Sequence, residues 1–196
     1  GLLEDVDRVL TRRFQESGDI VIVLGEGRGE LGGSEYLKLA HGLVQGVPPA
    51  IDLPFERALQ DLVVALAGDR LIRSAHDCAD GGLAVTLAEC CFGTSGSGVE
   101  VSLDALSVSR AAITNEAAAL FGESASRIVV STTADNVAGV LQRAAAARVP
   151  ARVIGETGGN RLRIAVAGTV VLDVSVDDAE RTWSTAIERV FAKKAA

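Results

Sequence analysis

Residues 71–92, LIRSAHDCADGGLAVTLAECCF, decide how the chain is read. Leu71 and Ile72 read as the end of a short apolar strand. His76, Asp77, Asp80, Gly81 and Gly82 form an acidic, glycine-bearing turn, and Leu83, Val85, Leu87, Ala88 and Phe92 are the apolar part of a helix. Two acids and two glycines ahead of a helix have two uses. An aspartate can cap the free N–H groups of the first turn, where the helix dipole also favours its charge. The same groups can instead hold a cation, or leave bare N–H groups facing an anion. Spacing leaves both open, with capping the commoner use.

Working toward the C-terminus, Gly93–Gly98 is a loop, and Val99, Val101 and Leu103 alternate with polar residues as a half-buried strand. A helix is expected over 111–120, a strand over 127–131 and a helix over 133–148, with Val137, Val140, Leu141 and Ala144 inward. Residues 152–154 and 161–166 flank Thr157-Gly158-Gly159-Asn160, which reads as a hairpin turn. Gly168-Thr169 makes a second turn into residues 170–176, and Asp177 caps a last helix carrying Trp183, Ile187 and Val190.

Toward the N-terminus, Pro54 sits in the first turn of a helix ending at Gly68, with a stripe of Phe55, Leu59, Leu62, Val63 and Leu66. Ser34 is a fitting N-cap for a helix over 35–45, with Leu37, Ala40 and Val44 on one face. The loop GEGRGELGG (25–33) lacks the Lys of a phosphate-cradling loop, and its third glycine falls too early for G-x-G-x-x-G. It reads as a surface loop. Residues 19–24 are a buried strand, and residues 1–14 fit either a helix or the end of a strand. These elements give an α/β (α+β) fold, a layered mixed sheet with helices. Its second half runs strand–helix–strand–strand–strand–helix, partly ferredoxin-like in order.

The chain has 196 residues, 48% hydrophobic and 23% charged, with a net charge of -7. One domain over 1–196 is expected, able to bury a core without staples. The acidic balance and the lack of a basic run speak against nucleic acid or an anionic membrane as partner. No apolar run approaches the ~18 residues of a membrane span. Cys78, Cys90 and Cys91 make neither a zinc pattern nor a disulfide framework and read as buried thiols of a cytoplasmic protein, with Cys78, in the turn, the one that could react. With no Met and an apolar start, the sequence reads as an excerpt whose residues 1–15 continue from a preceding domain. It has no nucleophile elbow, no H-E-x-x-H and, with two histidines in all, little room for a His-based acid/base pair.

The strings GLLEDVDRVL (1–10), ESGDIVIVLG (16–25), LGGSEYL (31–37), HDCADGGLAVTLAE (76–89) and LFGESASRIVVS (120–131) resemble the synthetase subunit of the phosphoribosylformylglycinamidine synthase family. HDxxDGG alone would point only to the wider aminoimidazole ribonucleotide synthetase superfamily, including selenophosphate synthetases and hydrogenase-maturation proteins; several motifs in fixed order narrow it. The resemblance implies the last of four domains, two tandem pairs of a nucleotide-binding and a C-terminal-type domain. It implies an ATP-dependent ligase of purine synthesis, in which ATP and magnesium serve to phosphorylate the amide oxygen of formylglycinamide ribonucleotide and glutamine-derived ammonia displaces the phosphate. The implied partners are the preceding synthetase domains, the pseudo-symmetric twin domain and a glutamine amidotransferase; the isolated chain would form a homodimer through the sheet surface that otherwise meets the twin.

In that family the catalytic groups and most ATP and magnesium ligands lie in the nucleotide-binding domains, so the resemblance assigns no catalytic residue and no metal ligand here. It carries over substrate- or nucleotide-binding roles to Glu123, Ser124, Ala125 and Arg127 of FGESASR, and a place near the ligand cleft to His76, Asp77, Asp80, Gly81 and Gly82. Ala125 and Ala50, in PPAIDLPF, stand where the family's first copy has amide-bearing residues, which implies the non-catalytic half of a pseudo-symmetric pair. That half would then be a structural module holding an auxiliary, unhydrolysed nucleotide.

Overall fold

The structure is a computed structural model describing residues 6, 9–103 and 116–194, side chains of 192–194 excepted. Its spine is one sheet of seven strands: β1 (Ile20–Leu24), β2 (Ser74–Asp77), β3 (Val99–Leu103), β4 (Ile128–Thr132), β5 (Ala151–Thr157), β6 (Arg161–Val166) and β7 (Thr169–Ser175), in the order β2-β4-β1-β5-β3-β6-β7. All neighbours are antiparallel except β3 and β6, which run parallel. The helices are α1 (Glu35–His41), α2 (Leu53–Gly68), α3 (Gly82–Cys91), α4 (Glu116–Phe121), α5 (Val137–Ala146), α6 (Val176–Ser184) and α7 (Ala186–Lys194).

Strand β1 shows why the molecule has three layers. Side chains alternate across a strand, and here both sets are apolar and buried: Val21 and Val23 enter one core, Ile22 and Leu24 the other. The first core is closed by Leu83, Leu87 and Cys90 of α3 and Leu120 of α4; the second by Leu59, Leu62 and Leu66 of α2 and Val140 of α5. Strands β3 and β6 are buried on alternate residues only, so their second face lies open and carries Glu100 and Arg163.

The layered mixed sheet matches the sequence reading, and so do β1, α2, β3, β4 and α5 within a residue or a few. Other expectations change. His76 and Asp77 lie in β2, not in the turn, and Leu71 and Ile72 precede the strand. The segment 152–166 is not a hairpin: β3 inserts between β5 and β6, tied at the turn by Gly98 N–H to Gly159 O and Gly158 N–H to Gly98 O, both 2.9 Å. Gly155 makes the insertion possible, because a Cβ there would lie 2.0 Å from the Glu100 carbonyl oxygen of β3. The turn expected at Gly168-Thr169 forms one residue earlier, at Ala167-Gly168, and Thr169 already opens β7, which pairs with β6.

Helix α1 stops at His41, where Gly42 at φ 67 terminates it. None of its residues is buried, and Val44 is exposed. Residues 9–14 are not helical; the rest of 1–8, Val6 apart, and residues 111–115 of an expected helix lie outside the described residues. The last helix is two, and Ser175, not Asp177, caps the first, accepting the Asp178 N–H. No helix among the described residues is long and apolar enough to cross a membrane.

Candidate functional site

The stretch FGESASR leaves α4 and enters β4 as an interlocked turn. Glu123 Oε1 accepts the Gly81 N–H at 2.8 Å and the Glu35 N–H at 3.0 Å. Gly81 is the N-cap of α3 and Glu35 opens α1. One carboxylate therefore bridges the beginnings of two helices, where negative charge is favoured. Ser124 Oγ accepts the Arg28 N–H at 3.0 Å. Arg127 is buried and donates through Nε to the Ser124 carbonyl at 3.1 Å and through Nη2 to the Gly122 carbonyl at 2.5 Å. The rigid guanidinium fork suits two carbonyls of one turn, so Arg127 braces the loop rather than pairing with an acid.

The organising turn is also held from within. Gly81 and Gly82 have φ of 82 and 66, and a Cβ on Gly82 would lie 2.6 Å from the Gly122 carbonyl oxygen. Gly82 thus serves close packing of α3 on the α4–β4 turn, while a Cβ on Gly81 would strike Val85 of α3 itself. Neither acid of the turn caps α3, whose N-cap makes no side-chain hydrogen bond; the carboxylate at that end comes from Glu123. Asp77 and Asp80 are exposed. His76 reaches Glu89 with Nε2 to Oε2 at 2.8 Å, and its Nδ1 stands 3.4 Å from Asp77 Oδ1. Cys78 is buried, and burial pushes its thiol up despite the nearby Arg127, so the reactive reading of Cys78 is withdrawn. Burial likewise raises Cys90, and Cys91 to about 12.

Next to this turn lies a cavity of about 210 Å³, lined by Ala50, Ala125, Ser126, Arg28, Glu30 and Arg148 among others. It unites both stretches at which the sequence departs from an amide-bearing pattern, the one around Ala50 and the one around Ala125. Its wall is fixed: Ser126 has φ 59, and a Cβ on Gly25 would lie 2.0 Å from the Ser126 carbonyl oxygen. Glu30 Oε1 accepts the Ala50 N–H at 3.1 Å, while Glu30 Oε2 is shielded from solvent and has no protein partner. A shielded carboxylate oxygen without a donor is an unfilled acceptor. Of the candidate residues only Ala125 lines the cavity; Glu123, Ser124, Arg127, His76, Asp77, Asp80, Gly81 and Gly82 are not among its lining residues, and Ser124 reaches it only through its bond to the Arg28 N–H.

Sequence reasoning missed Arg28, Glu30 and Arg148. The first two sit in the glycine-rich loop read as a plain surface loop; the charged residues between its glycines were the available signal. Among the described residues no three His, Cys, Asp or Glu side chains gather into a set that could hold a metal ion.

The chain matches the family profile "AIR synthase related protein, C-terminal domain" over residues 16–167. It is 38% identical over 183 residues to phosphoribosylformylglycinamidine synthase subunit PurL of Thermoanaerobacter sp. (strain X514), covering 93% of this chain and 24% of that one. It is 39% identical to the PurL subunit of Anaeromyxobacter dehalogenans (strain 2CP-1), covering 100% of this chain and 26% of that one. The chain thus spans about a quarter of the length of these relatives. Among solved structures, T. maritima PurL complexed with FGAR superposes with a TM-score of 0.71 at 20% identity, over 89% of this chain and 30% of that one. The E. coli hydrogenase maturation protein HypE superposes with a TM-score of 0.60 at 20% identity, over 86% and 52%. At those identities the structures support the fold alone.

Proposed function

The chain belongs to the family of AIR synthase related protein C-terminal domains, and from that premise we infer that it is the C-terminal module of an ATP-dependent ligase of purine biosynthesis. The reaction is the conversion of formylglycinamide ribonucleotide and glutamine-derived ammonia to the amidine. The module supplies a wall of a ligand cleft and a packing surface; the reactive groups belong to the preceding synthetase domains, and the ammonia to a glutamine amidotransferase. The observation that carries this reading is the cavity bringing Ala50 and Ala125 together, flanked by charged groups but with no nucleophile–base pair among its lining residues.

The test is ATP turnover with formylglycinamide ribonucleotide and ammonia. The chain by itself is expected to show none, and mixing it with the preceding domains is expected to restore it. Turnover by the chain alone overturns the reading.

A second reading is an auxiliary, non-hydrolytic nucleotide site. Arg28 and Arg148 favour it, since both line the cavity as cations a phosphate would pair with, beside the acids Glu26, Glu30 and Asp52. T. maritima PurL has been solved complexed with ADP as well as with FGAR. Calorimetric titration with ADP and magnesium, on the chain joined to its preceding domains, is expected to give heat that Arg28→Ala removes. No heat leaves the module as scaffold only.

A further inference from the structure

Among the described residues two apolar features are left without a partner, and they fit each other. The first is helix α7. Ile187, Val190 and Phe191 are 74%, 56% and 68% exposed, and Trp183, at the end of α6, is 50% exposed. Ile187, Val190 and Phe191 recur at steps of three and four, one face of α7. The second is a groove of about 430 Å³ between α3, β7 and α6. Ala84 and Ala88, one turn apart on α3, make its trough; Leu172, Val174, Phe121 and Trp183 make its sides, and Asp178 and Thr182 supply the polar rim.

A helix face of this kind cannot fold back into the groove beside it. The link from α6 to α7 is Thr185 alone, so α7 departs from the groove's own rim. A second copy meets no such restriction. The charges agree with this: α6 places Asp178 at the rim, while α7 carries Arg189 and its sequence ends in Lys193-Lys194. Reciprocal seating also closes a twofold, so that both helices and both grooves are covered and no open chain of molecules grows. One three-residue stripe would fall short of the ~800 Å² per partner of a stable interface; two seats double the contact. The open sheet face is a poorer candidate, since it pairs Glu100 with Arg163 and Arg161 with Asp173.

We propose that the chain dimerises by seating α7 of each copy in the α3–β7 groove of the other. Sedimentation velocity over a dilution series is expected to show a dimer giving way to monomer. Trp183, the single tryptophan of the sequence, lines the groove and reports on it: its emission is expected to shift to the red at the dilution where the dimer dissociates. Ile187→Glu on the helix and Val174→Lys in the groove should each yield monomers, both residues being exposed enough that circular dichroism stays that of the parent. Mixing the two variants leaves one intact helix facing one intact groove and is expected to recover a weaker heterodimer.

A monomer at every concentration overturns the proposal. So does a dimer that survives both substitutions, a tryptophan spectrum that ignores dissociation, or a mixture that stays monomeric.

Discussion

Glu123 shows how a residue that looks like a ligand can be an internal fixture. Its carboxylate serves two helix beginnings at once, so its loss strands two N–H groups and removes a favourable charge from both dipoles. Glu123→Ala is expected to lower stability by about 1.5–3 kcal/mol, read as a fall in the urea midpoint with unchanged slope; a change below the error of that midpoint would contradict the bridge. Arg73 raises a related question of charge. Its Nη1 lies 2.8 Å from Oδ1 of buried Asp19, whose Oδ2 has no partner. Burial pushes the Asp19 carboxyl above its ordinary value, and Arg73 pulls it part of the way back. The folded chain therefore holds the Asp19 proton more tightly than the unfolded one, and this stabilising contribution is lost as pH rises through the raised titration. In Arg73→Ala the ionised carboxylate loses its counter-charge at neutral pH and keeps only the Glu16 backbone bond, at a cost of about 1–3 kcal/mol, and the cost should vanish in acid, where Asp19 is neutral. Urea unfolding at neutral pH and near 3.8 checks this; a deficit that grows in acid overturns it.

At the scale of elements, the most exacting contact is that of α3 with the α4–β4 turn. Gly82→Ala would place a methyl 2.6 Å from the Gly122 oxygen at a φ of 66 that L-residues resist. It is expected to cost about 1–3 kcal/mol in strain alone, and to raise the amide exchange rate of α3 relative to α5. Much at this scale was legible. Two-sided apolar β1 announced a strand buried on both faces, and Pro54, with the stripe behind it, announced α2. What was not legible is local chemistry overruled by distant partners. Gly158-Gly159 has the composition of a hairpin, but the neighbour of β5 comes from more than fifty residues earlier, and no local signal encodes that insertion. The acids at the head of α3 fit a cap by every local rule, and a carboxylate forty-two residues further on took the place. The stretches around Ala50 and Ala125 were found through resemblance. Arg28, Glu30 and Arg148 were not, because a cavity is made by tertiary packing and leaves no periodic trace.

On the scale of the whole molecule, the two cores share β1, so neither can be lost while the other persists. Leu59→Ala, in the second core, is expected to cost about 2–5 kcal/mol. The loss should appear equally in the far-ultraviolet signal and in the emission of Trp183, which lies on the side of the first core. Two separate transitions would show that the cores unfold independently. The central position of β1 also bears on how the chain leaves the ribosome. Both of its neighbours, β4 and β5, are made more than a hundred residues after it. Until they emerge, a ribbon of valine, isoleucine and leucine waits in water with no one to zip to. Translation thus runs far ahead of assembly, and the interval before β5 emerges is when a holding chaperone has most to protect.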